Sequence, residues 1–209
     1  MRLVVATRSA HKLEELSRMA RERFGERLEL QSLDDLDPEG KRLPEIVEDA
    51  PTFAGNAEKK ARTISEVLGE WVLADDSGLC VDALDGAPGI YSARYAGEIG
   101  PERDEANNRK LLDELVDVAD EDRGAAFVCA LCLVAPDGRV WHLEERCLGR
   151  IDHGPKGSGG FGYDPLFVSH EPGQDRVRTH GELSAEEKDA ISHRGKALRA
   201  LLPLLETLL

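Results

Sequence analysis

Short apolar runs alternate along this chain with segments whose apolar residues recur every three or four positions. That alternation restricts the fold more than any other feature. Leu3-Val4-Val5-Ala6 and Trp71-Val72-Leu73-Ala74 read as short buried strands. Ala125 to Val134 is a longer one, turned by Pro136-Asp137-Gly138 into a partner over Val140 to Cys147. Leu28 to Leu30 and Pro165 to Val168 are two further short strands. Leu13, Leu16, Ala20 and Phe24 keep helical spacing until Gly25, and Ala57, Ala61, Ile64 and Leu68 keep it until Gly69. A helix over 104–118 is predicted to bury Leu111, Leu112, Leu115 and Val116. Ser184 and Glu187 have capping-box form and open a short helix, and the last helix covers His193 to Leu208. Residues 33–51 and 85–101 read as loops. Strands and helices in this order make an α/β fold with a mixed sheet. The 209 residues suffice for one domain, or at most two small ones.

Charge narrows the partners. Lys and Arg number 27 against 41 Asp and Glu, a formal net charge of -14. Such a field disfavours polymeric nucleic acid and anionic membrane, because each phosphate contact needs a basic group. No apolar run approaches the ~20 residues of a membrane helix. The opening MRLVVATRSAHK is not a secretory signal. Four cysteines do not make a disulfide framework, so a reducing cytoplasm is expected.

Four segments carry candidate chemistry. Thr7-Arg8-Ser9-Ala10-His11-Lys12 joins a strand to a helix, where free N–H groups and a partial positive charge suit phosphate; an ordinary capped helix start would read the same way. Asp75-Asp76-Ser77-Gly78 follows an apolar strand. Adjacent carboxylates in extended chain point oppositely, so one can face a metal while the other holds a loop; Asp-Ser-Gly is equally turn chemistry. Gly157 to Pro165 surrounds Phe161 and Tyr163 with glycine, as where backbone passes a flat ligand on which an aromatic stacks; tucked into the core, the same aromatics would serve packing. Lys188 and Ser192-His193-Arg194 put cations at a helix start, a misfit with the helix dipole unless an anion or a carbonyl neutralises it or water solvates it. Cys129 and Cys132 have metal-pair spacing, but three residues apart in a strand they face opposite sides and read as core.

Together these segments resemble the inosine triphosphate pyrophosphatase family, the RdgB-like XTP/dITP pyrophosphatases. The matching residues are Val5-Ala6-Thr7 with Lys12 and Glu15-Leu16; Thr52-Phe53, Asn56-Ala57 and Lys60-Ala61; Ala74 to Leu84 and Gly86 to Arg94; Phe161 to Phe167; and Glu182-Leu183 through Arg194. The resemblance runs from the first strand to the last helix. It implies one ITPase-like domain over 1–209, an elongated mixed sheet in two lobes flanked by helices, with the active-site cleft between them. It implies Mg2+-dependent hydrolysis of ITP, dITP and XTP to the monophosphate and pyrophosphate, in a homodimer.

By the same resemblance, Thr7 to Lys12 (with Arg8, Ser9, Ala10 and His11) match a phosphate-binding turn and Lys60 a triphosphate-binding lysine. Asp76 matches a general base and metal ligand, Glu48 a second metal carboxylate, and Ser77 a substrate contact. Phe161, Gly162, Tyr163, Asp164, Lys188, His193 and Arg194 match a base pocket. Two departures stand out: Arg8-Ser9 replaces the usual Gly-Asn, and Gly55 replaces the usual Glu before Asn56. Activity is expected to survive both, since Lys12, Lys60 and Asp76 remain. The rivals are a pyrophosphatase for another modified nucleoside triphosphate and a catalytically silent nucleotide-binding protein.

Overall fold

In the computed structural model, residues 2–98, 100–173 and 176–208 are described. The chain opens with strand β1 (Arg2–Val5), helix α1 (Ala10–Phe24), strand β2 (Glu29–Ser32) and the one-turn helix α2 (Leu33–Leu36). Helix α3 (Phe53–Leu68), strand β3 (Val72–Val81) and helix α4 (Arg103–Glu114) follow. Strands β4 (Gly124–Val134), β5 (Val140–Ile151) and β6 (Phe167–Ser169) precede helices α5 (Ala185–Ile191) and α6 (His193–Leu208). The strands form one mixed six-stranded sheet in the order β2-β1-β3-β4-β5-β6. β1 pairs in parallel with β2 and β3, and β5 pairs antiparallel with β6. No helix is long and apolar enough to cross a membrane among the described residues.

Local chemistry explains the helix ends. The Ser9 hydroxyl accepts the Lys12 N–H at 3.4 Å to open α1, and the Thr52 hydroxyl accepts the Gly55 N–H at 3.1 Å to open α3. Ser184 and Glu187 close the expected reciprocal box, with Glu187 N–H to the Ser184 hydroxyl at 3.2 Å and Ser184 N–H to the Glu187 carboxylate at 2.8 Å. Gly69 ends α3 in the left-handed region at φ 67°.

Four expectations need correction. β3 does not stop at Ala74 but runs through Asp75-Asp76-Ser77-Gly78 to Val81. Residues 33–51 are not all loop, because a reciprocal cap between Ser32 and Asp35 winds α2. α4 ends at Glu114, so Val116 leaves the helical phase and is 75% exposed, while Leu112 is only partly buried. The last strand begins at Phe167, two residues later than expected.

The chain divides into two compact units. The first holds Met1–Asp76, Cys129–Glu145 and Arg194–Leu209, and the second Ser77–Val128 and Arg146–His193. In the first, Leu16, Met19, Ala20 and Phe24 of α1 and Ala197, Leu198, Leu201 and Leu205 of α6 pack with Leu3, Val5, Leu73 and Leu131 of the strands. In the second, Leu79 and Val81 pack with Leu111, Leu115, Phe127, Cys147, Leu166 and Phe167. Cys129, Cys132 and Cys147 are buried free thiols.

Arg123 ties the second unit together without a ligand. It is 2% exposed, and its guanidinium donates to the carbonyls of Leu115 (2.7 Å), Ile151 (3.0 Å) and Asp152 (3.2 Å). It thereby caps the end of α4 and joins it to the end of β5. Burial lowers its pKa, against the pull of Asp120 and Asp152. Arg123→Ala leaves these carbonyls unsatisfied and is expected to lower stability by about 3 kcal/mol, read as a fall in the urea midpoint at unchanged slope.

Candidate active site

In the first unit, Asp75 and Asp76 are neighbours within a strand, so their side chains leave opposite faces. Asp75 is 1% exposed. One carboxylate oxygen accepts Arg194 Nε at 2.8 Å and the Cys129 thiol at 3.2 Å, and the other pairs with the Lys12 ammonium. Arg194, 2% exposed, turns its remaining arm to the Glu15 carboxylate. Two carboxylates thus meet two cations. Burial raises the Asp75 pKa, but the charges of Arg194 and Lys12 outweigh it and hold the carboxyl well below its usual range. Burial and the neighbouring Asp75 push the Cys129 thiol well up, which makes it inert.

Asp76 meets a different balance. Lys60 Nζ donates to its Oδ1 at 3.1 Å and to Glu48 Oε1 at 2.6 Å. One ammonium serves two carboxylates. Burial, helped by the charge of Glu48, raises the Asp76 pKa against the pull of Lys60. Burial also weighs on Lys60, but Asp76 and Glu48 together raise its pKa. Both partners of this pair are therefore raised, Asp76 by burial and Glu48, Lys60 by the two carboxylates that face it. The carboxylates converge on one cationic centre, which is the oxygen donor set of a small divalent cation held by one or two carboxylates, water and phosphate. No larger cluster of metal-binding side chains occurs among the described residues.

The turn from β1 to α1 lies in the same unit. Thr7 Oγ1 accepts the Ser9 N–H at 3.1 Å, while Ala10 and His11 are exposed on the first turn of α1. Arg8 points away toward the following loop, pairing with Asp34 and donating to the Asp37 carbonyl at 3.3 Å.

In the second unit, Asp164 is the hub. Its Oδ2 accepts Lys188 Nζ at 2.6 Å and the Phe161 N–H at 2.8 Å, and His180 Nδ1 lies 3.6 Å from Oδ1. Burial raises the Asp164 pKa, yet Lys188 and His180 prevail and hold it far below the usual carboxylate range. Gly160 has φ 72°, and a Cβ there would run into the Asp164 carboxylate. Lys188 Nζ lies 4.9 Å from the ring centre of Phe161, which is half-buried. Gly162 donates its N–H to Asp104 at 2.8 Å and accepts from Asn108 at 2.9 Å. Tyr163 turns into the core and donates its hydroxyl to the Ser92 carbonyl at 3.0 Å. His193 stacks on Phe127 at 4.8 Å. Ser77, half-buried, is the first residue of this unit.

The candidates thus fall into three groups: Lys12 with Arg194; Glu48, Lys60 and Asp76; and Phe161, Asp164 and Lys188. Arg194 sits among carboxylates of the first unit and His193 against an aromatic of the second. Sequence reasoning gave no role to Glu15, His180 or Phe127, and foresaw for Asp75 only that one of the adjacent carboxylates holds structure. None of the three carries a local signal, since Glu15 lies off the stripe of Leu13, Leu16, Ala20 and Phe24.

The Ham1 family matches residues 3–204. The chain belongs to the Ham1 family. A dITP/XTP pyrophosphatase of Corynebacterium efficiens is 49% identical over 100% of this chain and 99% of that protein. One from Streptomyces coelicolor is 47% identical over 100% and 98%. The Ham1 protein structure from Staphylococcus aureus superposes with a TM-score of 0.82 at 36% identity, covering 100% of both chains. That from Coxiella burnetii superposes at 0.84 with 34% identity, covering 99% of both.

The balance around Asp75 and Asp164 sets the acid limit of this Ham1 protein. A carboxylate whose folded pKa lies below its unfolded value of about 3.9 stabilises the fold fully above that pH, and the contribution fades as pH falls toward the folded pKa. The urea midpoint is therefore expected to fall steeply below about pH 4. Asp75→Asn is expected to cost about 3–5 kcal/mol at neutral pH, since it removes the carboxylate that Lys12 and buried Arg194 both face, and to flatten the acid slope in the same titration.

Proposed function

We propose that this Ham1 protein is a nucleoside triphosphate pyrophosphatase that hydrolyses dITP, XTP and ITP to the monophosphate and pyrophosphate. Full-length relatives named dITP/XTP pyrophosphatases at 47–49% identity support the activity. The observation that carries the chemistry is the Lys60 ammonium shared by Glu48 and Asp76. The two carboxylates that meet at this ammonium are the oxygen donors a small divalent cation takes.

In this reading Glu48 and Asp76 hold Mg2+. When bound, the ion neutralises charge on the phosphate oxygens. The chain's own residues do the rest. Lys12 and the exposed N–H groups of the α1 first turn bind phosphate oxygens. Lys60 stabilises the charge that develops at the phosphorus and on the leaving pyrophosphate. Asp76, beside Lys60, orients the attacking water and takes its proton. For the base, the family resemblance supports Phe161 to Asp164 and Lys188, whose ammonium lies 4.9 Å from the Phe161 ring centre and would be the donor for a 6-oxo group. Adenine would turn an amino group toward that donor and leave it unpaired. Free thiols at all four cysteines accord with a reducing cytoplasm, and the family resemblance supports a homodimer.

Pyrophosphate release across the common and deaminated triphosphates, with and without Mg2+, tests this. ITP, dITP and XTP are expected to exceed ATP by roughly 10⁴ in kcat/KM, as unpaired site groups allow. Asp76→Asn is expected to lower kcat by about 10²–10⁴ while nucleotide binding persists. Equal turnover of ATP and ITP would refute the base selection, and full activity of Asp76→Asn would remove Asp76 from its role.

A further inference from the structure

The loop that carries Glu48 is fastened at a point no chemical role accounts for. Asn56, in the first turn and a half of α3, is 1% exposed. Its Oδ1 accepts the Ala50 N–H at 2.9 Å, and its Nδ2 has no hydrogen-bond partner among the described residues. Asparagine is a weak helix former, and a buried amide left half-satisfied is unfavourable by about 1–3 kcal/mol. Its one bond does not serve its own helix. It serves the backbone two residues beyond Glu48.

Lys60 stands four residues after Asn56, on the same face of α3. That face therefore grips the loop twice: at the Ala50 backbone through Asn56, and at the Glu48 carboxylate through Lys60. Only the first grip is independent of charge.

Gly55 supplies a separate observation. A Cβ at this position would lie 2.9 Å from Ala50 Cβ and 3.1 Å from Thr52 Oγ1. Ala50 Cβ is bonded directly to the backbone, so no side-chain rotation relieves the clash and the loop itself has to shift. This is where the sequence carries glycine instead of the glutamate usual in the resembling family. The missing side chain is the seat in which the loop rests.

We propose that Asn56 is a positioning residue. By holding the Ala50 N–H it fixes Glu48 where its carboxylate and that of Asp76 converge on one cation, and Gly55 keeps the seat open. The proposal rests on the reading of Glu48 and Asp76 as the metal-holding pair. It explains why a buried amide with an unused donor is kept in α3: its acceptor alone does the work.

Mn2+ binding to the nucleotide-free protein, followed by electron paramagnetic resonance, tests this together with amide hydrogen exchange over residues 47–51. Asn56→Ala is expected to weaken Mn2+ about tenfold, a loss of roughly 1.4 kcal/mol, and to speed exchange at Ala50. Its rate should need more Mg2+ to saturate while kcat at saturation stays near that of the unaltered protein. Gly55→Ala, with Asn56 intact, is expected to reproduce both defects, and it carries the test if Asn56→Ala does not fold. Lower stability with unchanged Mn2+ affinity in both variants would reduce Asn56 to a packing role and overturn the proposal, leaving the metal pair standing. Undiminished Mn2+ binding by Glu48→Gln would overturn the metal pair itself, and the role of Asn56 with it.

Discussion

The first unit is organised around a carboxylate buried in a strand interior. Asp75 has no access to water, and an ion so placed is tolerated only with charged partners in good geometry. Those partners come from opposite ends of the chain. Lys12 on α1 lies 63 residues before it and Arg194 on α6 lies 119 residues after it. Arg194 in turn requires Glu15 of α1. One buried charge thus ties the first and last long helices to β3. It also explains why β3 continues where the residues spell a turn. Asp-Asp-Ser-Gly in isolation favours a bend, but a bend would take Asp75 away from both cations.

The two adjacent aspartates divide structural and chemical work through the alternation of a strand. Asp75 faces Arg194 and Lys12, whose charges outweigh its burial and depress its pKa. Asp76 shares one lysine with Glu48, so its charge is under-matched and its pKa raised. The residue types are identical and the backbone positions consecutive. The neighbours on each face differ, and they separate a matched anchor from the carboxylate proposed above as a base. The Asp164 hub of the second unit is of the anchoring kind, with Lys188 and His180 on a single carboxylate.

Periodicity and capping chemistry made most of the fold legible. Both α1 and α3 stop at the glycines read as their ends, and α5 opens at Ser184 as its capping box requires. These signals are local, so a single sequence carries them. Helix α2 escaped notice because one reciprocal cap, Ser32 with Asp35, is enough to wind four residues inside an acidic loop. The candidate residues were legible as residue types beside glycine and strand ends. Their pairings were not. Nothing near Arg194 reveals that its guanidinium lies between Asp75 and Glu15, since that depends on how distant elements pack. Tyr163 and Phe161 look alike in the glycine-dense loop, yet one is core and the other is half-exposed beneath a lysine ammonium. Burial, which sequence conveys only through periodicity, separates them.

Charge then reads differently at each scale. The net charge of -14 disfavours a polymeric anion, and the basic residues beside glycine and serine look like a countervailing reserve for a small one. Most of that reserve is already committed: Lys12 and Arg194 to Asp75 and Glu15, Lys60 to Glu48 and Asp76, Lys188 to Asp164. A triphosphate therefore meets lysines that already have partners. On the reading proposed above, the start of α1 and a divalent cation held by Glu48 and Asp76 would supply further attraction. Pairing each lysine with a carboxylate also keeps the empty site free of concentrated positive charge, so a lone phosphate gains little by binding. A ligand that brings its own cation meets no such penalty, because it adds both charges at once. If Glu48 and Asp76 hold a divalent cation as proposed, dependence on it would follow from the charge of the site as much as from the reaction.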